Sequence, residues 1–389
     1  MFFGGRDKSK KIILFDFRSS SVAAAIIAVD EEISLPKILF TKRENYYFSE
    51  APKADEFIMR AHIALKKLIQ EINHFKINDP DIEHAISEVR ILYGAPWYTP
   101  NFIDIHHEQD KDFIFTKELL AKILKNTDKK LEINPDSELI EKNLSSILVN
   151  GYETADPFKK KTRDIKMSLY LAYVATETKD EIERIIKNNL HVEDIYSHSH
   201  TAILHSFLKS NFHSANNYVL LDVSGEMTEI TIVRNSFFKK HVTIPVGSHI
   251  FSRKLAELSG YDLHTAWSHL NIFLNNKNEP KINKKISNVF EDIKDYYLQL
   301  VKETFTQEKI VDIPSTIFII ADQEVRGLVK NVFESHDGYA GTLKISRKPD
   351  IISFNKETFS NLCLYSPGIH ADNLISIFSN FVKMYFNTD

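Results

Sequence analysis

Two acidic bends hold the residues best able to do chemistry in this sequence. Asp16 lies near the end of an apolar run, residues 11–17, and is followed by Ser19, Ser20 and Ser21. Asp222 lies near the end of a second run, residues 218–224, and is followed by Gly225 and Thr228. A phosphate chain needs backbone N–H and hydroxyl donors at tight turns, and a nearby carboxylate can hold Mg2+ through water. Two facing hairpin tips would supply both. Ser19, Ser20 and Ser21 offer one set of donors, Gly225 and Thr228 a second, and Asp16 and Asp222 the carboxylates on the metal side. Asp222 is the candidate catalytic residue, orienting water for in-line attack on a terminal phosphate. The plainer reading is two ordinary hairpins whose Asp and Ser residues satisfy turn backbone.

The elements that must position these bends follow from apolar periodicity. Residues 11–17 and 22–29 read as a hairpin with a serine tip, 57–75 as an amphipathic helix and 89–93 as a strand. Residues 218–224, 225–227 and 228–233 read as strand, turn and strand. With Asp16 set on Asp222, Ile13, Leu14 and Phe15 fall opposite Val219, Leu220 and Leu221, and Ala24, Ile26 and Ile27 opposite Ile230, Ile232 and Val233. This predicts an internal duplication. Between the halves, Pro96 and Pro100 break the chain, and residues 94–165 read as a small inserted α+β unit with a short helix over 116–124. A strand over 167–175, a helix over 179–188 and a segment over 201–208 return to the larger texture. Later come helices over 249–258, 264–274 and 284–305, a loop over 275–283, a buried strand over 316–320 and helices over 324–333 and 372–386.

Composition narrows the function classes. Lys plus Arg number 49 and Asp plus Glu 53, for a net charge of −4, so no global field attracts nucleic acid or anionic lipid. The single cysteine, Cys363, excludes an intramolecular disulfide and a cysteine-rich zinc site. His198, His200 and His205 are spaced i, i+2 and i+7 rather than i and i+4, so zinc is not expected. Lys159, Lys160, Lys161 and Arg163 read as a solvated turn. The apolar stretch after Lys8, Lys10 and Lys11 is cut by Asp16 and Arg18, unlike a secretory signal, and no apolar run is of membrane-spanning length. Leu374, Ile375, Phe378, Phe381, Val382 and Tyr385 form a stripe on the last helix. With only Lys383 as a cation there, it reads as a packed helix rather than a lipid anchor. The expected location is cytoplasmic.

Three pieces occur in order: Asp16-Phe17-Arg18-Ser19-Ser20-Ser21-Val22, Asp222-Val223-Ser224-Gly225-Glu226-Met227-Thr228-Glu229-Ile230, and Ile244-Pro245-Val246-Gly247-Ser248. Val149-Asn150-Gly151-Tyr152 and Asp156-Pro157-Phe158 look like the exit from the insertion. Together they resemble the actin-like ATPase superfamily, and within it the families of the bacterial cell-division protein FtsA and the type IV pilus assembly protein PilM. The resemblance covers nearly the whole chain. It implies an α/β, actin-like (ribonuclease H-like) two-lobed fold with a small α+β domain inserted in the first lobe. The first lobe would take residues 1–93 and 166–212, the insertion 94–165, and the second lobe 213–389 with a helical subdomain over about 248–312. It also implies ATP and Mg2+ as cofactors, the metal held through water by Asp16 and Asp222. The nucleotide-binding positions would be Asp16, Arg18, Ser19, Ser20, Ser21, Ser224, Gly225, Glu226, Thr228, Gly247, Ala321, Asp322 and Gln323.

The departures from that pattern matter as much. Arg18 stands where the family usually has glycine, Ser224 and Glu226 flank a lone Gly225 where it has a glycine run, and Ala321-Asp322-Gln323 replaces a glycine pair. Ala266-Trp267-Ser268-His269-Leu270 replaces an Ala-Glu pair and lysine that serve the nucleoside. Side chains thus occupy places where backbone normally approaches phosphate. Glu226 would face a polyphosphate with like charge unless Mg2+ or Arg18 offsets it. The expectation is a cytoplasmic scaffold of a membrane-associated machine, with a degenerate or weak ATP site and at most weak ATPase activity. The alternative is an active actin-like ATPase or a small-molecule kinase. The resemblance implies protein partners: the tubulin-like division ring protein in one branch, a pilus inner-membrane assembly protein in the other. Self-association, peripheral membrane contact through partners and no nucleic acid complete the expectation.

Overall fold

The structure is a computed structural model that describes residues 9–386 apart from 49–51, 78–81, 83–85, 129–133, 155, 213–214, 276–279, 311–312, 322–325, 335–348, 355–357 and 360. The first half runs β1 (Lys10–Phe17), β2 (Ser21–Val29), β3 (Lys37–Asn45), α1 (Ala54–Ile77) and β4 (Ile86–Tyr93). Then come β5 (Thr99–Ile114), α2 (Lys117–Asp128), β6 (Ser137–Val149), β7 (Tyr152–Glu153), β8 (Lys161–Ala175), α3 (Thr176–Leu190), β9 (Ile195–Ser199) and α4 (His200–Asn211). The second half runs β10 (Tyr218–Val223), β11 (Thr228–Arg234), β12 (Phe237–Ile244), α5 (His249–Ser259), α6 (Leu263–Asn275), α7 (Pro280–Gln307), β13 (Thr316–Ala321), α8 (Arg326–Glu334), β14 (Asp350–Ser353), β15 (Leu364–Tyr365) and α9 (Asn373–Phe386).

Two sheets repeat one plan. The first is ordered β15-β3-β2-β1-β4-β9 and the second β12-β11-β10-β13-β14. Apart from β15, which adds to the edge of the first, each has three antiparallel strands leading into two parallel ones: β1 and β10 pair antiparallel with β2 and β11 on one side, and parallel with β4 and β13 on the other. The register agrees too, since Asp16 lies opposite Ala23 and Asp222 opposite Glu229. The duplication read from the sequence is therefore present in topology. Sheets that mix parallel strands with helices on both faces need strands apolar on both faces. The runs Ile12–Phe15 and Val22–Ile27 meet that need, with every residue buried, and so do Val219–Leu221 in the second sheet.

A third sheet, β5-β8-β6-β7, forms the insertion, with Phe115, Ile123, Val149, Ile165 and Met167 as its own small core. β8 belongs to this sheet along its whole length, where the sequence reading ends the insertion at 165. Chain ownership differs again at the far end. β15 pairs with β3, Leu364 opposite Lys37, and α9 packs on β1, β2 and α4, so the segment expected in the second lobe returns to the first sheet. The physical reason is the stripe on α9: Leu374, Ile375, Phe378 and Val382 bury there, and Lys383, itself buried, donates to the Asp30 carbonyl at 2.6 Å. These four residues of the stripe therefore face protein, while Phe381 is half-buried and Tyr385 half-exposed. The loop expected over 275–283 is also shorter, because α7 already begins at Pro280, a residue suited to a first helical turn; residues 276–279 lie outside the described residues. Among the described residues no helix is long and apolar enough to cross a membrane.

Phe378 is fully buried against the first sheet. Replacing it with alanine should cost about 3–5 kcal/mol of stability. Chemical denaturation would read this as a lower midpoint, and an unchanged midpoint would contradict the packing of α9.

Candidate functional site

The duplication brings the two bends together. Asp16 and Asp222 sit at the C-terminal ends of β1 and β10, the equivalent strands of the two sheets. Each strand leads into a four-residue turn of the same form, in which Arg18 N–H donates to the Ser21 carbonyl and Ser224 N–H to the Met227 carbonyl, both at 2.9 Å. The Trp97 indole and the Tyr46 hydroxyl, both donating to the Arg18 carbonyl at 2.9 Å, hold the first turn from outside. Gly247 backs the second: a Cβ there would fall 2.2 Å from the Ser224 carbonyl oxygen. Ser248 N–H and His249 N–H, at the start of α5, donate to the carbonyls of Ser224 and Gly225 at 2.9 and 2.8 Å.

The two tips bond directly to one another. Gly225 N–H donates to Ser20 Oγ at 3.1 Å and Glu226 N–H to Ser19 Oγ at 2.9 Å. Ser19 Oγ meets Ser224 Oγ at 2.5 Å. The contact is close enough that a Cβ on Gly225 would fall 2.1 Å from Ser20 Oγ, so only glycine lets the tips meet. Of the donors that the sequence offered to a phosphate chain, Ser19, Ser20 and Gly225 are thus engaged across the tips.

Below the tips, the chain's own cations surround both carboxylates. Arg18, 2% exposed, forms a buried ion pair with Asp222 Oδ1. His200 lies between the two aspartates, its Nε2 donating to Asp16 Oδ1 at 2.9 Å and its Nδ1 to Asp222 Oδ2 at 2.8 Å. Arg43 takes the last oxygen, with Nη2 at 2.7 Å from Asp16 Oδ2. It also donates to Ser21 Oγ at 2.9 Å and through Nε to Asp372 Oδ2 at 2.7 Å. Asp372 in turn accepts from the first N–H groups of α9. Sheet register explains how Arg43 arrives: Asp16, Ala23 and Arg43 form one row across β1, β2 and β3, and the small Ala23 leaves the path open.

Charge follows geometry. Burial penalises charge on the His200 ring, yet its bonds to Asp16 and Asp222 outweigh that and raise its pKa to about 9. Burial likewise works against the Asp16 carboxylate, but Arg43, His200 and Arg18 hold it far below the usual range. Asp222 is lowered in the same way, against burial, by Arg18 and His200. Three carboxylates, those of Asp16, Asp222 and Asp372, thus face three cations. Glu229 lies opposite Asp222 on β11; burial and the Asp222 charge raise its pKa. It accepts from Tyr98 OH at 2.6 Å and from Ala95 N–H at 3.0 Å.

These residues do not fit a divalent cation. All four carboxylate oxygens of Asp16 and Asp222 accept from cationic donors. His200, Asp222 and Glu229 do bring ligand atoms within 4.8 Å of one another. However, a protonated imidazole has no lone pair to give a metal. His198 and His205 lie elsewhere, the first against Phe378 and Phe381, the second bonded to Tyr218 OH at 2.6 Å.

Other expected site residues are placed differently from the sequence reading. Thr228 turns away from the tips, donating to the Val246 carbonyl at 2.7 Å and meeting Tyr297 OH at 2.5 Å. Glu226 pairs with His249 and Arg253, while Arg18 pairs with Asp222 instead. Burial raises the pKa of Glu226, but His249 at 3.0 Å and Arg253 at 2.7 Å hold it below the usual range. Ala321 and Trp267 line a cavity of about 210 Å3 beside Arg18 and Arg43, with Trp267 and Tyr47 both packed on the His249 ring. Ligand sites usually span about 300–1,000 Å3. Asp322 and Gln323 lie outside the described residues. The basic cluster is only partly the expected turn: Lys159 lies in a turn, whereas Lys161 and Arg163 are in the first residues of β8 and both pair with Asp112.

His200 and Arg43 are the residues that sequence reasoning missed. A signal existed for His200, which follows directly on parallel strand β9, and the carboxyl ends of parallel strands are where such sheets place their sites. Arg43 gave none, because its role depends on a register across three strands.

No protein-family model matches the chain, and no curated protein sequence does. Among solved structures, a PilM–PilN type IV pilus biogenesis complex is similar, with a TM-score of 0.56 and 11% identity over 96% of this chain and 96% of that one. Ethanolamine utilization protein EutJ from Carboxydothermus hydrogenoformans has a TM-score of 0.42 and 10% identity over 88% of this chain and 83% of its own. A Bacteroides thetaiotaomicron protein with an actin-like ATPase fold has a TM-score of 0.39 and 8% identity over 91% and 94%. The chain has the actin-like fold and resembles PilM in it.

The His200 pKa, raised from 6.5 to about 9, makes stability pH-dependent with a definite sign. Its contribution, about 3 kcal/mol from a shift of that size, is full below pH 6.5, shrinks above it, and is lost as pH rises through about 9. The denaturation midpoint should therefore fall between pH 6.5 and 9.5 more steeply in the native protein than in His200→Gln. Parallel profiles would show that His200 is neutral in the folded chain.

Proposed function

We propose that this protein is an actin-like scaffold of a membrane-associated machine, in which the nucleotide site has become an internal junction between the lobes. One observation carries the reading: the oxygens and turn donors that would hold a Mg-nucleotide are bonded to the chain's own side chains. Opening that junction for a nucleotide would separate two buried ion pairs across the lobes, Arg18–Asp222 and His200–Asp222, and separating buried partners costs about 3–5 kcal/mol. ATP binding is therefore weak, and turnover weaker still.

The scaffold role rests on a groove beside the inserted sheet. Between Ser137 and Ile147, no described strand pairs with the outer edge of β6. That edge forms one wall of a cavity of about 660 Å3, and β9, α4 and α9 form the other, with Tyr196, His198, Ala202 and Ser206 among its lining. A second cavity of about 510 Å3 continues it past Leu144, Ser145 and Lys209. An open strand edge lining a long groove suits an extended segment that adds a strand, with side chains alternating into the pocket. The partner proposed is the cytosolic tail of a pilus inner-membrane assembly protein, in keeping with the fold's likeness to a PilM–PilN complex. Such a partner would also bring the chain to the cytoplasmic face of the membrane.

Isothermal titration with Mg-ATP should give no micromolar binding. Micromolar affinity that Asp222→Asn abolishes would overturn the internal-junction reading. For the groove, Ser206→Trp should weaken capture of the tail segment about tenfold or more, roughly 1.4 kcal/mol. Capture of the tubulin-like ring protein instead, unaffected by Ser206→Trp, would move the proposal to the division branch and away from the groove.

A further inference from the structure

Three consecutive residues at the junction of β9 and α4 hold three parts of the molecule at once. Ser199 faces the inserted sheet: its N–H donates to Glu141 Oε2 at 3.1 Å, its hydroxyl donates to the same oxygen, and Tyr170 OH donates to Ser199 Oγ at 2.6 Å. His200 lies between Asp16 of the first sheet and Asp222 of the second. Thr201 donates to Tyr98 OH at 2.7 Å, and Tyr98 OH in turn donates to Glu229 on β11 at 2.6 Å. All three are buried, at 0, 1 and 2% exposure. Glu141, by contrast, lines the groove beside β6.

We infer that Ser199, His200 and Thr201 couple occupancy of that groove to closure of the two lobes. The three side chains share one short backbone segment in a close-packed interior, so displacing one shifts the others rather than being absorbed by voids. A groove occupant that presents an N–H or a cation to Glu141 competes with Ser199 for the same oxygen. Withdrawal of Glu141 frees Ser199 and moves His200 relative to Asp16 and Asp222, the two carboxylates it joins. The junction has two arrangements, Glu141 engaged or withdrawn, and each site biases the choice between them. By linkage, opening the lobes must alter the groove to the same degree.

Only the identity of the occupant rests on the docking reading. The coupling is a property of the free chain and can be tested without a partner, so the two can fail separately. The amides of Gly225 and Glu226 donate across the lobes to Ser20 and Ser19, which makes their hydrogen exchange a direct report of closure. In Glu141→Ala, and more mildly in Glu141→Gln, exchange at these two amides should rise about tenfold relative to the native chain. Glu138→Ala, on the same groove wall but paired with Lys179, should leave them unchanged. Conversely, Asp222→Asn should speed exchange in β6. Unchanged Gly225 and Glu226 exchange in both Glu141 variants, or an equal rise in Glu138→Ala, would overturn the coupling.

Discussion

The whole molecule is organised around one imidazolium held between two buried carboxylates from opposite lobes. His200 closes a gap that neither aspartate can close alone, because two buried carboxylates repel and each needs a cation nearby. Arg18 reaches from the first lobe to the second, while Arg43 ties Asp16 to Asp372 and so to α9. The outcome is a charge-balanced set, buried at Asp16, Asp222, Arg18 and His200 and partly exposed at Arg43 and Asp372. Such sets are expensive to desolvate and expensive to break, so they confer a specific arrangement more than net stability.

That arrangement follows from the duplication. Two sheets of the same order present equivalent strand ends to one another, which places Asp16 and Asp222 face to face without any local instruction to do so. Here serine hydroxyls and backbone amides of the facing turns complete each other, and Gly225 and Gly247 allow the close approach. Arg18, which at first sight blocks a phosphate, supplies the charge that lets Asp222 stay buried and ionised.

Much of the scaffold was legible in the sequence. β1, β2, β10, β11, β13, α1, α3, α9 and the second-half helices carry unbroken apolar runs or clear helical periodicity, because each must bury one or both faces. β3 and β12 were not legible: in the first, KILFTKREN, apolar and charged residues mix because its residues are mostly half-buried. Ownership of the last segment was not legible either. A two-residue strand such as β15 has no periodicity, and only its pairing with β3 shows where it belongs.

The sequence by itself determined that two acidic bends exist, that each follows a buried strand, and that glycine is scarce around them, since these are properties of neighbouring residues. Which groups satisfy the bends was decided in tertiary structure alone. His200 lies 184 positions from Asp16 and 22 from Asp222, and Arg18 lies 204 from its partner. Local sequence sets backbone conformation and burial pattern. The pairing of charges depends on the register of strands and the meeting of lobes, which no short stretch of residues encodes.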